Sequence, residues 1–183
     1  MNIVEKAKEW AHAAHDSIGQ KRKYGGQNYW VHTDRVAEAL KQAGETEEVQ
    51  AAGHLHDVLE DVADKNVKFN EAAMLIDFGS KITELVKEVT NVFTKENHPN
   101  LNRAKRKHLE HERLSKISKE AKSIKLADIA DNVDGLIDND RDFGKVFLSE
   151  KAQLLVFLRE GNDTLYKKAT KAVANEIAKL SNK

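Results

Sequence analysis

Cysteine is absent from this chain, which excludes disulfides and thiolate metal sites and fits a reducing compartment. Any metal must then be held by nitrogen and oxygen donors. Proline occurs once and glycine nine times in 183 residues, too few turn formers for a protein of many short strands, and no run of alternating β-branched residues offsets this. Long hydrophobic runs are missing as well. Nothing approaches the ~18 apolar residues of a membrane span, and the start, Met1 to Trp10, has no apolar core of signal-peptide length. A soluble, cytoplasmic protein is expected. Nor is there an excess of charge of one sign: 30 basic side chains balance 30 acidic ones, so no long-range field draws the chain to duplex nucleic acid or an anionic membrane. Small, locally steered ligands are the expected partners; an oligomeric state is not encoded in these features.

What is present, alanine, leucine, lysine and glutamate in quantity, favours helices throughout. Periodicity and capping signals place them near 2–17, 31–43, 46–61, 69–77, 79–92, 101–119, 120–137, 147–160 and 162–180. The expected fold is all-α, a compact helical bundle. At 183 residues one domain spanning 1–183 can bury about 70% of its unfolded surface. The most informative interruption is Ile18 to Tyr29, where turn residues and the basic run Lys21-Arg22-Lys23 fall together between two helices, and loops of this kind tend to carry function.

The strongest chemical signal is His56-Asp57-Val58-Leu59-Glu60-Asp61. On a helix, residues three and four apart share a side, so His56, Asp57, Glu60 and Asp61 can converge. Imidazole beside carboxylate suits a divalent transition metal such as manganese, iron or zinc, but two ligands bind weakly. Asp128 lies in an apolar helical pattern where an uncompensated carboxylate is costly to bury, and His32 opens a helix directly after the basic loop. Two histidines and two aspartates, His32, His56, Asp57 and Asp128, form the candidate ligand set. A histidine-aspartate neighbour pair alone more often makes a structural hydrogen bond; the set of four reverses that reading. Glu60 and Asp61 as a plain acidic helix end are disfavoured, because the C-terminal end of a helix repels negative charge.

The spaced pattern of His32, His56-Asp57 and Asp128 resembles the HD-domain phosphohydrolases. Within them, Gln20-Lys21-Arg22-Lys23, Tyr29-Trp30-Val31-His32, His56 to Asp61, Phe78-Gly79, Leu85 to Thr90 and Lys125-Leu126-Ala127-Asp128 resemble the RelA/SpoT-type alarmone hydrolases. The resemblance is strongest over residues 8–135; residues 138–183 form C-terminal helices without an alignable motif. It implies a stand-alone small hydrolase of the stringent response that removes the 3′-pyrophosphate of guanosine tetra- or pentaphosphate (ppGpp, pppGpp), with manganese as the usual metal. It further implies that Glu60 and Asp61 together handle the attacking water and the leaving group, and that Arg22 and Lys23 bind the nucleotide. Asn132 would contact ribose or base, with Asp131 an alternative, and Lys125 would contact phosphate or pair with a nearby acid.

Two departures bear on these implications. Asn28 and Thr33 stand where the family often has proline, which changes loop rigidity but not the ligand His32. Val133-Asp134-Gly135 follows Asn132 where many members carry an arginine, which bears on substrate identity more than on reaction class. The alternatives are the same site acting on an adenosine alarmone or on NADPH, or a non-catalytic sensor binding metal and nucleotide. Of the other histidines, His12 and His15 are expected in packing or supporting roles. His54, two positions from His56, points away from it, and His108 and His111 lie in a charged stretch expected to be a solvated face.

Overall fold

The computed structural model describes residues 2–181. Helices α1 (Ile3–Ser17), α2 (Trp30–Gln42), α3 (Glu47–Leu55), α4 (Val58–Asp61) and α5 (Glu71–Val89) are followed by α6 (Arg103–Leu114), α7 (Lys119–Val133), α8 (Leu136–Asn139), α9 (Arg141–Phe157) and α10 (Asp163–Ser181). A 3₁₀ turn covers Val67–Phe69. The fold is all-α: among the described residues the only β-type pairing is one isolated bridge, Lys21 to Asn28. None of the described helices is long and apolar enough to cross a membrane.

The chain divides into two compact units, one up to Thr90 and one from Asn91. In the first, α3 packs against α1, α2 and α5. Ala7, Ala11 and Ala14 repeat at helical spacing on α1 and are fully buried, so small side chains let the helices approach closely. Gly53 serves the same purpose on α3: a Cβ there would stand 2.5 Å from Leu40 Cδ1 and 3.3 Å from the Ala37 Cα. In the second unit, α7 is buried continuously from Ala121 to Ala130, as expected of a helix with neighbours on all sides; α9 and α10 are among them. Its buried charges have partners, Lys122 with Glu160 at 2.5 Å and Lys125 with Asp128 at 3.0 Å.

Several boundaries differ from expectation for identifiable reasons. The helix expected over 46–61 breaks at His56 and Asp57, where the His56 ring donates to the Gly53 carbonyl at 2.8 Å and Asp57 sits at φ −99°, ψ −4°. The two helices expected over 69–77 and 79–92 are joined in α5, but Gly79, at φ 75°, interrupts it at the expected place with a conformation suited to glycine. The helix expected from 147 begins at Arg141, because Asp140 caps it by accepting from the Phe143 N–H at 3.2 Å. His111, expected on a solvated face, is buried and packs its ring 6.4 Å from that of Phe157; burial holds its pKa below the usual histidine value. His108 is exposed.

Candidate metal centre

Three helix ends of the first unit build the site. His32 lies in the first turn of α2 and is fully buried, and His56 and Asp57 form the turn between α3 and α4. One ligand atom from each of these three residues lies within 4.8 Å of the others. His56 Nε2 is 3.0 Å and His32 Nε2 is 3.6 Å from Asp57 Oδ2, and the two imidazole rings meet edge-on at 5.1 Å.

The tautomer of His56 follows from its partner. A carbonyl only accepts, so the 2.8 Å contact to Gly53 O puts the proton on Nδ1 and, in the neutral ring, a lone pair on Nε2 facing the Asp57 carboxylate. A metal-ligating histidine is usually oriented in this way, its other nitrogen donating to a carbonyl or carboxylate. Asp57 is oriented in turn by the Tyr29 hydroxyl, which donates to Oδ2 at 2.6 Å. Two imidazole nitrogens and a carboxylate oxygen in this arrangement fit a divalent cation of the borderline transition series.

Asp61, at the end of α4, is half-buried, whereas Glu60 is exposed. Burial pushes the Asp61 carboxyl up to about 6, helped by the neighbouring Asp57 and opposed by a hydrogen bond from Gln20. A carboxyl in that range can exchange a proton near neutral pH. The Gln20 amide donates to Asp61 Oδ2 at 2.8 Å, and its oxygen lies 2.7 Å from His15 Nδ1. Burial keeps His15 below the usual histidine range.

The basic loop is closed as a small hairpin. Arg22 N–H donates to Gln27 O at 2.8 Å and Tyr29 N–H to Gln20 O at 3.2 Å, while Gly25 and Gly26 at its tip take φ values of 81° and 64° that favour glycine. Lys23 is exposed and lies 4.9 Å over the Tyr24 ring; Arg22 is half-buried. The loop thus carries cations on its outside while Gln20 and Tyr29 hold the acid and the ligand carboxylate. These supporting contacts were not expected from the sequence, although both residues stand inside the quoted motifs.

Asp128, Lys125 and Asn132 belong to the second unit. Asp128 is buried, but Lys125 reaches its Oδ2 at 3.0 Å and the Asn132 amide donates to its Oδ1. The cost expected of burying this carboxylate uncompensated is met by residues three before and four after it on α7, and of the two contacts expected of Lys125, phosphate or a nearby acid, the structure shows the acid.

His54 and His12 build a separate cluster on Asp34. His12 Nε2 lies 2.9 Å and His54 Nδ1 3.2 Å from Asp34 Oδ1, and His12 stacks on Trp30 at 4.3 Å. Burial alone would raise the Asp34 carboxyl, but the two imidazoles outweigh it and hold it below the usual carboxylate range.

Comparison with known proteins agrees with this geometry. No curated protein matches the chain in sequence. Among solved structures it is similar to a metazoan ortholog of SpoT, described as hydrolyzing ppGpp and playing a role in starvation responses, with 27% identity, a TM-score of 0.80 and 96% of each chain covered. It is also similar in fold to lmo0812 from Listeria monocytogenes EGD-e, with 23% identity, a TM-score of 0.60, and 80% of this chain and 99% of that one covered. The HD domain pattern matches residues 7–136, a stretch that includes His32, the His56-Asp57 turn, the acid pair and Asp128, and on that match the chain belongs to the HD domain family.

Proposed function

We propose that this protein is a metal-dependent pyrophosphohydrolase that removes the 3′-pyrophosphate of guanosine tetra- or pentaphosphate. Water adds to the phosphorus next to the ribose 3′ oxygen, that P–O bond breaks, and GDP or GTP leaves with pyrophosphate as the other product. The observation that carries this reading is the His32, His56 and Asp57 donor cluster beside a carboxyl tuned to about 6. Likeness to the ppGpp-hydrolyzing metazoan ortholog over 96% of both chains supports the substrate class.

His32, His56 and Asp57 would hold the cation, and the family pattern adds Asp128 as the fourth ligand. When bound, a divalent ion such as manganese supplies Lewis acidity, lowering the pKa of water and neutralising phosphoryl charge. Asp61 holds or takes the proton of the attacking water, and Glu60 completes the acid pair that manages the leaving oxygen. Arg22 and Lys23 suit the nucleotide, the guanidinium by stacking or forking onto phosphate and the ammonium as a mobile point charge. On the family pattern Lys125 also meets phosphate and Asn132 the ribose or base, besides bracing Asp128. The match running from residue 7 to 136 supports reading 1–183 as a single HD domain. Balanced charge and the absence of cysteine support a cytoplasmic enzyme with no nucleic-acid or membrane partner, and likeness to the ortholog described as playing a role in starvation responses supports a place in the stringent response.

Purified, manganese-loaded protein incubated with guanosine tetraphosphate tests this. Pyrophosphate and GDP are expected; stepwise release of single phosphates contradicts it, and stoichiometric binding without turnover indicates a sensor. One observation favours a second reading of the same reaction class: the exposed Asp134 stands where the family often has arginine, which bears on substrate identity and leaves another phosphorylated nucleotide, such as an adenosine alarmone or NADPH, as the alternative. A substrate panel separates the two.

A further inference from the structure

The acid of the proposed reaction does not stand alone. Gln20, from the start of the basic loop, touches it with one end of its amide and touches a buried histidine of α1 with the other. Its Nε2 donates to Asp61 Oδ2 at 2.8 Å and its Oε1 lies 2.7 Å from His15 Nδ1. The direction of this chain is fixed by chemistry. An ionised carboxylate only accepts, so the amide must turn its NH₂ toward Asp61 and its oxygen toward the imidazole, and that oxygen requires a proton on His15 Nδ1.

Two further features hold the arrangement in place. The Gln20 backbone N–H donates to His15 O at 3.1 Å, and Gln20 O accepts from Tyr29 N–H at 3.2 Å, so both backbone groups of Gln20 are committed and its side chain is aimed. His15 is fully buried against Tyr29, ring centroids 4.8 Å apart, and Tyr29 is the residue that orients Asp57. With the proton on Nδ1, His15 Nε2 is a bare acceptor. It is buried and has no hydrogen-bond partner among the described residues. A buried acceptor of this kind is costly unless water or another donor meets it.

We propose that Gln20 and His15 are positioning residues that act through Asp61: Gln20 clamps the carboxylate in its working orientation, and His15 locks Gln20 while presenting Nε2 as an acceptor for an ordered water. The assignment of Asp61 to proton handling rests on the proposed hydrolase reading; the clamp itself does not. Its function is to spare the acid a search among rotamers when substrate arrives, the kind of misplacement that costs an enzyme about 100-fold.

Two readouts decide the proposal. The first needs no substrate: long-range proton–nitrogen correlation on the metal-free protein, near neutral pH, reports which ring nitrogen carries hydrogen. His15 is expected as the Nδ1–H tautomer, with the Nε2–H form emerging in Gln20→Ala. A wild-type His15 protonated at Nε2 overturns the clamp. The second uses whichever nucleotide the wild type turns over. Gln20→Ala should lower kcat about 10- to 100-fold and change KM less than about threefold, with bound manganese unchanged. In an Asp61→Asn background the same substitution should cost less than about twofold, because the path through Asp61 is already cut. An equal loss in both backgrounds means a general structural role and overturns the proposal, as does a fully active Gln20→Ala. If the wild type cleaves no nucleotide, the hydrolase reading fails while the tautomer measurement still decides the clamp.

Discussion

The first unit contains two clusters of the same composition, two histidines and one aspartate, and they are built for different ends. In one, His32, His56 and Asp57 gather around a turn between short helices; in the other, His12, Asp34 and His54 join three regular helices. At Asp34 both imidazoles close on a single carboxylate oxygen, at 2.9 Å and 3.2 Å, so charge and donor answer each other inside the protein. At Asp57 the His56 proton is spent elsewhere, on the Gly53 carbonyl, and the phenol of Tyr29 orients the carboxylate. That leaves the His56 Nε2 lone pair, the His32 ring and a carboxylate oxygen converging, a donor set that fits a cation. What distinguishes His56 from the imidazoles around Asp34 is therefore where its proton goes, to the Gly53 carbonyl rather than to the aspartate.

The largest effect expected is on Asp57. Asp57→Ala or His56→Ala should lose bound metal and lower turnover by about 1,000-fold or more, whereas Asp34→Asn should keep metal content and activity within about twofold of wild type. Metal analysis and initial rates on the same preparations check this, and metal loss in Asp34→Asn would erase the distinction between the clusters. Next in size, Glu60→Ala should retain metal but turn over about 100-fold more slowly. An equally active variant would remove Glu60 from the acid pair.

Smaller effects follow from pH. The Asp61 carboxyl, pushed up to about 6, binds protons more tightly folded than unfolded. Between its ordinary carboxylate value and about 6 the metal-free protein should therefore lose stability as pH rises, by about 1 kcal/mol after discounting for partial exposure. Asp61→Asn should flatten that decline in denaturant titrations, and an unchanged slope would contradict the burial argument. Asp34 has the opposite sign: its carboxyl is held down, so its contribution is present above the ordinary carboxylate value and disappears as pH falls through the lower, folded value. Asp34→Asn should then cost about 1 kcal/mol near neutrality and nothing in strong acid.

The sequence carried the two clusters unequally. His56 and Asp57 were legible as neighbours in the chain and Asp61 as the acid four positions on, and His54 was legible as an outsider because two positions along a helix face nearly opposite sides. The break at His56 and Asp57 was not, since it depends on a ring-to-carbonyl contact that no periodicity encodes. Nor was the partner of His54, because Asp34 lies twenty positions away on another helix. Asp128 shows the converse: pairing of Lys125 with a nearby acid was readable from three-residue spacing, whereas the Asn132 amide, read as a contact to ribose or base, turns to the same carboxylate. In the loop, Gln20 and Tyr29 stood inside recognisable motifs, yet their contacts to Asp61 and Asp57 exist only once the hairpin has closed. Lys151, whose ammonium is pushed down to about 8, mainly by burial, belongs to the C-terminal helices where no motif pointed to it.

Phosphorus NMR of the manganese-depleted protein, followed through reconstitution in the presence of guanosine tetraphosphate, tests the central claim most directly. Metal-dependent appearance of pyrophosphate together with GDP, abolished by Asp57→Ala and preserved by Asp34→Asn, is the expected result. Hydrolysis that proceeds equally in Asp57→Ala, or a product series of single phosphates, would contradict it.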